Sequence, residues 1–232
     1  MTAPLTAQSP SEDRVAAARK RCEANLRARF EKAGVKYPAE EIFLRAMKRE
    51  AVVELWANGA PREPLKLVAT FAVTKGSGGP GPKRREGDGQ VPEGFYEVDR
   101  FNPKSLFHLS LGLNYPNASD RILSDHARPG GDIFVHGNRV SIGCLPLGDA
   151  IIEEVYLAAL ESRARPMHVH IFPARMDAPD WPAWHDEQIK LHPMLAPFWA
   201  QLARGWELFE KERRVPSITV SKDGSYNCNS GR

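Results

Sequence analysis

Three cysteines in 232 residues are too few for a disulfide scaffold. An odd number leaves at least one thiol unpaired, and Cys144, inside a glycine-bearing motif, is the natural candidate. Cys22 and Cys228 could pair only if the chain is exported and its ends meet. Long hydrophobic runs are missing as well. None approaches the ~18 apolar residues that span a bilayer, so no membrane span is expected. The start, Met1 to Pro10, has neither the basic nor the apolar region of an export signal. A large charge of one sign is absent too. The net charge is +3, and basic residues are interleaved with acids at Lys83-Arg84-Arg85-Glu86 and Glu210-Lys211-Glu212-Arg213-Arg214. Such runs read as solvated faces, and no nucleic-acid partner is expected. Lys83 and Arg84 in particular read as part of a solvated lid.

What is present suits a soluble globular chain. Hydrophobic residues make up 42% and charged residues 26%. The length supports a full core in one β-rich domain with helical additions. Residues 1–10 look disordered, and Ser11 to Ala33 reads as a helix closed by Gly34. Apolar, β-branched runs at 41–47, 51–57 and 65–73 read as a strand meander. A long Gly/Pro-rich loop fills 76–94. Further strands are expected at 95–98, 107–111, 132–136 and 167–172, and a helix at 150–160 capped by Asp149. From Trp184 to Arg213 the chain reads as helix interrupted by Pro193 and Pro197. A hairpin around Asp223-Gly224 would close it. The expected organisation is an N-terminal segment 1–36, a catalytic unit 37–175, and a helical extension 176–232 packed on the same domain.

The stretch from His136 to Cys144, HGNRVSIGC, carries the chemistry. A strand delivers an imidazole, and a short turn then delivers a thiol, the pattern of a cysteine nucleophile with its base. A nearby imidazolium or helix N-terminus would favour the thiolate. Amides around Gly143 and Cys144 could face a developing oxyanion, and Gly143 would permit a tight turn. Two blander readings stand beside this one: Cys144 as a small buried hydrophobe, and His136 as a structural strand-end residue. Zinc is a rival, with His136, Cys144, His168 and His170 as ligands. His168 and His170 would face the same way on one strand. No close pair of ligands supports it, and no metal or cofactor is expected.

The motif resembles that of the L,D-transpeptidase catalytic domain, the YkuD-type family of bacterial cell-wall enzymes, at His136-Gly137 and Ser141-Ile142-Gly143-Cys144. Ile142 stands where a second histidine is commonest, and the gap from the first histidine is short. Both features are similar to the YafK-like branch. The likeness continues through Gly81-Pro82-Lys83-Arg84-Arg85-Glu86-Gly87-Asp88, Pro92-Glu93-Gly94-Phe95-Tyr96, Asn102-Pro103-Lys104-Ser105, His108-Leu109-Ser110, Asn114-Tyr115-Pro116-Asn117 and Asp120-Arg121. It implies an α+β fold, a β-rich sandwich or barrel with an N-terminal helix and C-terminal helical additions. It also implies Cys144 as nucleophile, His136 as base and ion-pair partner, and the Gly137 carbonyl as the orienting third element. Ser141 would orient the loop or simply make a turn. The implied substrate is the peptidoglycan stem peptide or a peptidoglycan-linked protein. Arg139 would hold a carboxylate, and Tyr115 and Asn117 would line the cleft. The implied activity is transpeptidation or, as for an amidase of that branch, hydrolysis. A non-catalytic peptidoglycan-binding module is the alternative. The resemblance places the protein in the periplasm or cell envelope, and a monomer is expected.

Overall fold

The computed structural model describes residues 10–164 and 166–231. Of the disordered start expected at 1–10, residues 1–9 lie outside the described residues, and Pro10 opens the first helix. In chain order the elements are α1 (Pro10–Lys32), β1 (Glu41–Met47), β2 (Val52–Asn58), β3 (Lys66–Ala72), β4 (Gly94–Asn102), β5 (Ser110–Leu113), α2 (Ala118–Leu123), β6 (Phe134–His136), β7 (Leu145–Pro146), α3 (Asp149–Glu161), β8 (His168–Phe172), α4 (Trp181–Leu191), α5 (Leu195–Glu212), β9 (Ser217–Val220) and β10 (Tyr226–Asn229). The α+β class expected from sequence is the class observed. One eight-stranded sheet, ordered β3-β2-β1-β8-β4-β5-β6-β7, curls into a half-barrel, and β9 and β10 form a separate hairpin.

The sheet is covered on both faces, which explains why β1 is buried along almost its whole length. Ile42, Leu44 and Ala46 face one core with Val169 and Ile171 of β8. There α1 contributes Ala18, Cys22, Leu26 and Phe30, and α3 contributes Ile152, Val155 and Tyr156. On the opposite face, Met47, Phe95 and Phe172 meet Phe198, Trp199, Leu202 and Trp206 of α5. Alternation along a strand sends neighbouring side chains to opposite layers, so a strand with two covered faces loses its polar positions.

One buried ion cluster crosses the second layer. Arg45, 1% exposed, donates from Nε to Glu54 Oε2 at 2.8 Å and from Nη1 to Glu210 at 2.5 Å. Its guanidinium lies 4.0 Å from the Trp206 ring centroid, and Arg175 pairs with the second oxygen of Glu54. β1, β2 and α5 are thereby locked together.

Sequence and structure differ at several elements. α5 runs through Pro197, because a proline in the first turn of a helix gives up an amide that has no intrahelical partner anyway. Only Pro193 separates α4 from α5. Gly148, not Asp149, is the N-cap of α3 and makes no side-chain capping bond. All three cysteines are free, and Cys22 and Cys228 lie in the cores on opposite faces of the sheet. Among the described residues, no helix is long and apolar enough to cross a membrane.

Candidate functional site

β6 and β7 pair in parallel, with Val135 opposite Leu145 and His136 opposite Pro146. This register sets Cys144, just ahead of β7, beside the start of β6. The thiol Sγ lies 3.6 Å from the Asp132 carbonyl. His136 is 1% exposed, with its ring centroid 4.7 Å from that of Phe107 and tilted 34° to it. Its Nδ1 is 2.5 Å from the carbonyl oxygen of Gly137. A Cβ at Gly137 would come within 2.6 Å of Asp149 Oδ1 and 2.7 Å of the Phe107 carbonyl, so only glycine fits beside the histidine.

Asp149 has a different task from the expected cap. Its Oδ1 accepts the Asn138 amide at 2.7 Å and ties the loop after His136 to the head of α3. Ser141 closes the turn before the thiol. Its Oγ accepts the Cys144 amide at 2.9 Å and donates to the Cys144 carbonyl at 2.8 Å. Gly143 takes φ +105°, and a Cβ there would meet the Gln90 carbonyl at 2.9 Å. Its amide donates to Ser77 Oγ at 2.8 Å. Both amides considered as oxyanion donors therefore already hold acceptors in this resting structure.

Ser77 and Gln90 belong to the Gly/Pro-rich loop, which packs directly on the motif. That loop is held from within and from below. Lys48 Nζ donates to the carbonyls of Gly81 and Val91 and to Glu93. Asp88 accepts from the amides of Arg84, Arg85 and Gln90 and from Lys83 Nζ. Lys83 is therefore buried rather than part of a solvated lid. Arg84 pairs with Asp120 at 2.9 Å. The loop's composition marks it as unusual, but nothing in composition singles out Ser77, Gln90 or Lys83.

Burial pushes the Cys144 thiol above its ordinary value, and the charge of Asp132 pushes the same way. A backbone contact with Phe134 and the Lys83 ammonium pull it back only in part. Burial lowers His136, opposed by its bond to the Gly137 carbonyl. Both shifts favour the neutral thiol and the neutral imidazole over the ion pair that the resemblance implies. Desolvation outweighs the few charges nearby.

The other sequence candidates are dispersed. Tyr115 is buried in the core and donates to the Pro129 carbonyl at 2.9 Å. Asn117 caps α2 and donates to the Phe95 carbonyl and the Tyr226 hydroxyl. Both make internal structural bonds. Arg139 is exposed and has no ion-pair partner among the described residues. It borders a cavity of about 520 Å³ with Thr74 and the first turn of α3. His168 and His170 share one face of β8 and line a separate cavity of about 610 Å³ with Glu41 and Glu97. Two strands lie between β8 and β6, about 14 Å at ~4.8 Å per strand, which parts the four residues a zinc site would need. Among the described residues no group of three or more metal-ligating side chains is gathered.

Sheet and motif together define a mixed α+β protein that presents a cysteine and a histidine from adjoining strands. No family model matches the chain. A protein of Escherichia coli K12 named "Putative L,D-transpeptidase YafK" is 32% identical over 186 residues, covering 77% of this chain and 70% of that one. Its counterpart in Escherichia coli O157:H7 matches to the same extent. The chain belongs to the L,D-transpeptidase family, in its YafK-like branch. Among solved structures, the helical cell shape determining protein Pgp2 of Campylobacter jejuni aligns at TM-score 0.45 and 19% identity, over 65% of this chain and 56% of that one. Bd1075 of Bdellovibrio bacteriovorus aligns at TM-score 0.42 and 17% identity, over 77% and 62%.

Proposed function

We propose that this protein is a cysteine-dependent acyl-transfer enzyme acting on peptidoglycan stem peptides through an acyl-enzyme on Cys144. The observation that carries the reading is the hydrogen bond between His136 Nδ1 and the Gly137 carbonyl. A carbonyl only accepts, so Nδ1 carries the proton and Nε2 keeps its lone pair. Burial keeps that ring neutral, which suits a general base.

In this reading the thiol turns from the Asp132 carbonyl toward His136. Its proton passes to Nε2 as sulfur attacks the amide carbonyl. The tetrahedral intermediate collapses, the C–N bond breaks, and the imidazolium returns the proton to the departing amine. A thioester on Cys144 remains. Water then yields a hydrolase or amidase, whereas a second amine yields a transpeptidase. The substrate places the protein in the cell envelope, acting on a stem peptide or a peptidoglycan-linked protein, as a monomer.

Incubation with cross-linked muropeptides, followed by mass spectrometry, tests this. Cys144-dependent products are expected, and new cross-links or shortened peptides assign the acceptor. Products that persist in Cys144→Ala would sink the reading. A second reading is a wall-binding module without turnover. It is favoured by the occupied amides of Gly143 and Cys144 and by the un-ionised thiol. It requires unchanged muropeptides with the wild type, together with binding.

A further inference from the structure

With two strands between it and the nucleophile's β7, β4 carries an irregularity that sequence gives no reason to expect. Val98 pairs with Leu113 and Arg100 with Gly112, so two residues of β4 advance against one of β5. Asp99 is the extra residue of a bulge. Bulges bend a strand locally and re-aim side chains, often beside active sites. Here the bulge directs both Asp99 and Arg100 over Gly112, where a Cβ would lie 3.0 Å from Asp99 Oδ1 and 3.0 Å from Arg100 Nε. The missing side chain on β5 gives Arg100 a path across that strand. Its guanidinium reaches β6, 5.1 Å from the Phe134 ring centroid, and its Nη1 lies 3.3 Å from Asp132 Oδ1.

These two residues also flank the thiol. The Asp132 carbonyl lies 3.6 Å from Cys144 Sγ, and Phe134 precedes the Val135–Leu145 pair. Gly112 pairs with Phe134, and Phe134 and Cys144 each precede the Val135–Leu145 pair, so Arg100 and Cys144 lie on one row across the sheet, with the guanidinium ending over β6. A carboxylate one residue from the scissile carbonyl, ~3.8 Å away between Cα atoms, would lie along that row on the Arg100 side of the thiol.

The guanidinium is accessible. Arg100 is 50% exposed, and its acidic partners Asp99 and Asp132 are 40% and 81% exposed. Exposed pairs of this kind are weak and exchange readily. Its planar fork suits bidentate contact with a carboxylate, and the Phe134 face backs the cation. Arg139, by contrast, borders a cavity toward Thr74 and α3, with no contact to Asp132 or Phe134.

We propose that Arg100 is the residue that selects substrate, holding a free carboxylate adjacent to the amide that Cys144 attacks, with the bulge at Asp99 and the bare Gly112 as the devices that deliver it. The inference rests on the acyl-transfer reading and names the substrate group that the same site recognises.

Binding separates the two claims. Cys144→Ala protein is titrated calorimetrically with a diaminopimelate-containing stem tetrapeptide whose C-terminal carboxylate, one residue beyond the attacked carbonyl, is free, and with the same peptide carrying a carboxamide there. The free acid is expected to bind at least about tenfold more tightly. Adding Arg100→Gln should abolish that preference, Arg100→Lys should retain part of it, and Arg139→Gln should leave it unchanged. Thermal melts of each variant exclude misfolding. If Arg100→Gln still prefers the acid, or if the parent protein binds both peptides equally, the inference is overturned while acyl transfer stands. If neither peptide binds and the wild type leaves muropeptides unchanged, the acyl-transfer reading falls and takes the inference with it.

Discussion

Cys144 and His136 are governed by desolvation more than by each other. A raised thiol and a lowered imidazole predict that iodoacetamide modifies Cys144 slowly at pH 6 and faster only as pH climbs past the ordinary thiol range. Peptide mass mapping across pH checks this, and half-maximal reactivity below pH 7 would contradict it. Cys22 and Cys228, both pushed up to about 11 by burial, should lag throughout. For turnover, His136→Gln should lower kcat by roughly 10²–10⁴. Because the folded imidazole loses its proton more readily than a free one, the acid limb of kcat/KM should lie below pH 6.5. The thiol of Cys144 beside Gly143, eight residues after His136, is visible in sequence, but that no side chain fits at Gly137 shows only once Asp149 and Phe107 are packed against it. The protonation of Cys144 and His136 was not visible, since it depends on Lys83, Asp132 and buried surface brought in from elsewhere. Arg139 looked favourable because it lies inside the motif, whereas Arg100 reaches the thiol's neighbours through a bulge that leaves no mark in composition.

The strands and helices set how firmly that pair is held. Gly143→Ala forces a side chain into φ +105° against the Gln90 carbonyl, and the cost should exceed about 1 kcal/mol. Urea denaturation measures it, and an unchanged midpoint would show that the loop yields freely. Removing Arg45 leaves buried Glu54 short of a cation between β1, β2 and α5. Arg45→Ala should therefore cost about 3–5 kcal/mol by the same measurement. The longer elements α1, α3 and the β1–β3 meander were legible as alanine-rich or apolar, β-branched runs bounded by capping and turn residues. α2 spans six residues and β7 two, too short to show a period. The parallel pairing of β1 with β8 joins segments over a hundred residues apart, and no local pattern encodes it. Pro197 looked like a breaker only because its place in the first turn of α5 depends on where the helix begins.

Burial lowers His136, His168 and His170, the last while its Nδ1 has no hydrogen-bond partner among the described residues. A depressed histidine contributes stability that is complete above its unfolded value near 6.5 and is lost as pH falls below it. Asp120, raised to about 6, acts in the opposite sense, its contribution fading as pH rises through that value. The difference in Tm between pH 7 and pH 5 should accordingly shrink in His170→Phe relative to wild type, and an equal or larger difference would show that His170 is not the sensitive group. The α+β class followed from the family resemblance, but the two covered faces of the sheet and the lid-like packing of residues 76–93 on Gly143 emerged only from the assembled fold. The central claim is a covalent one, and intact-mass spectrometry of the protein quenched during incubation with muropeptides tests it most directly. The account predicts an added stem-peptide mass that maps to the Cys144 peptide and disappears in Cys144→Ala. Wild-type protein that binds the muropeptides yet never gains mass at Cys144, and leaves them unchanged, would contradict it.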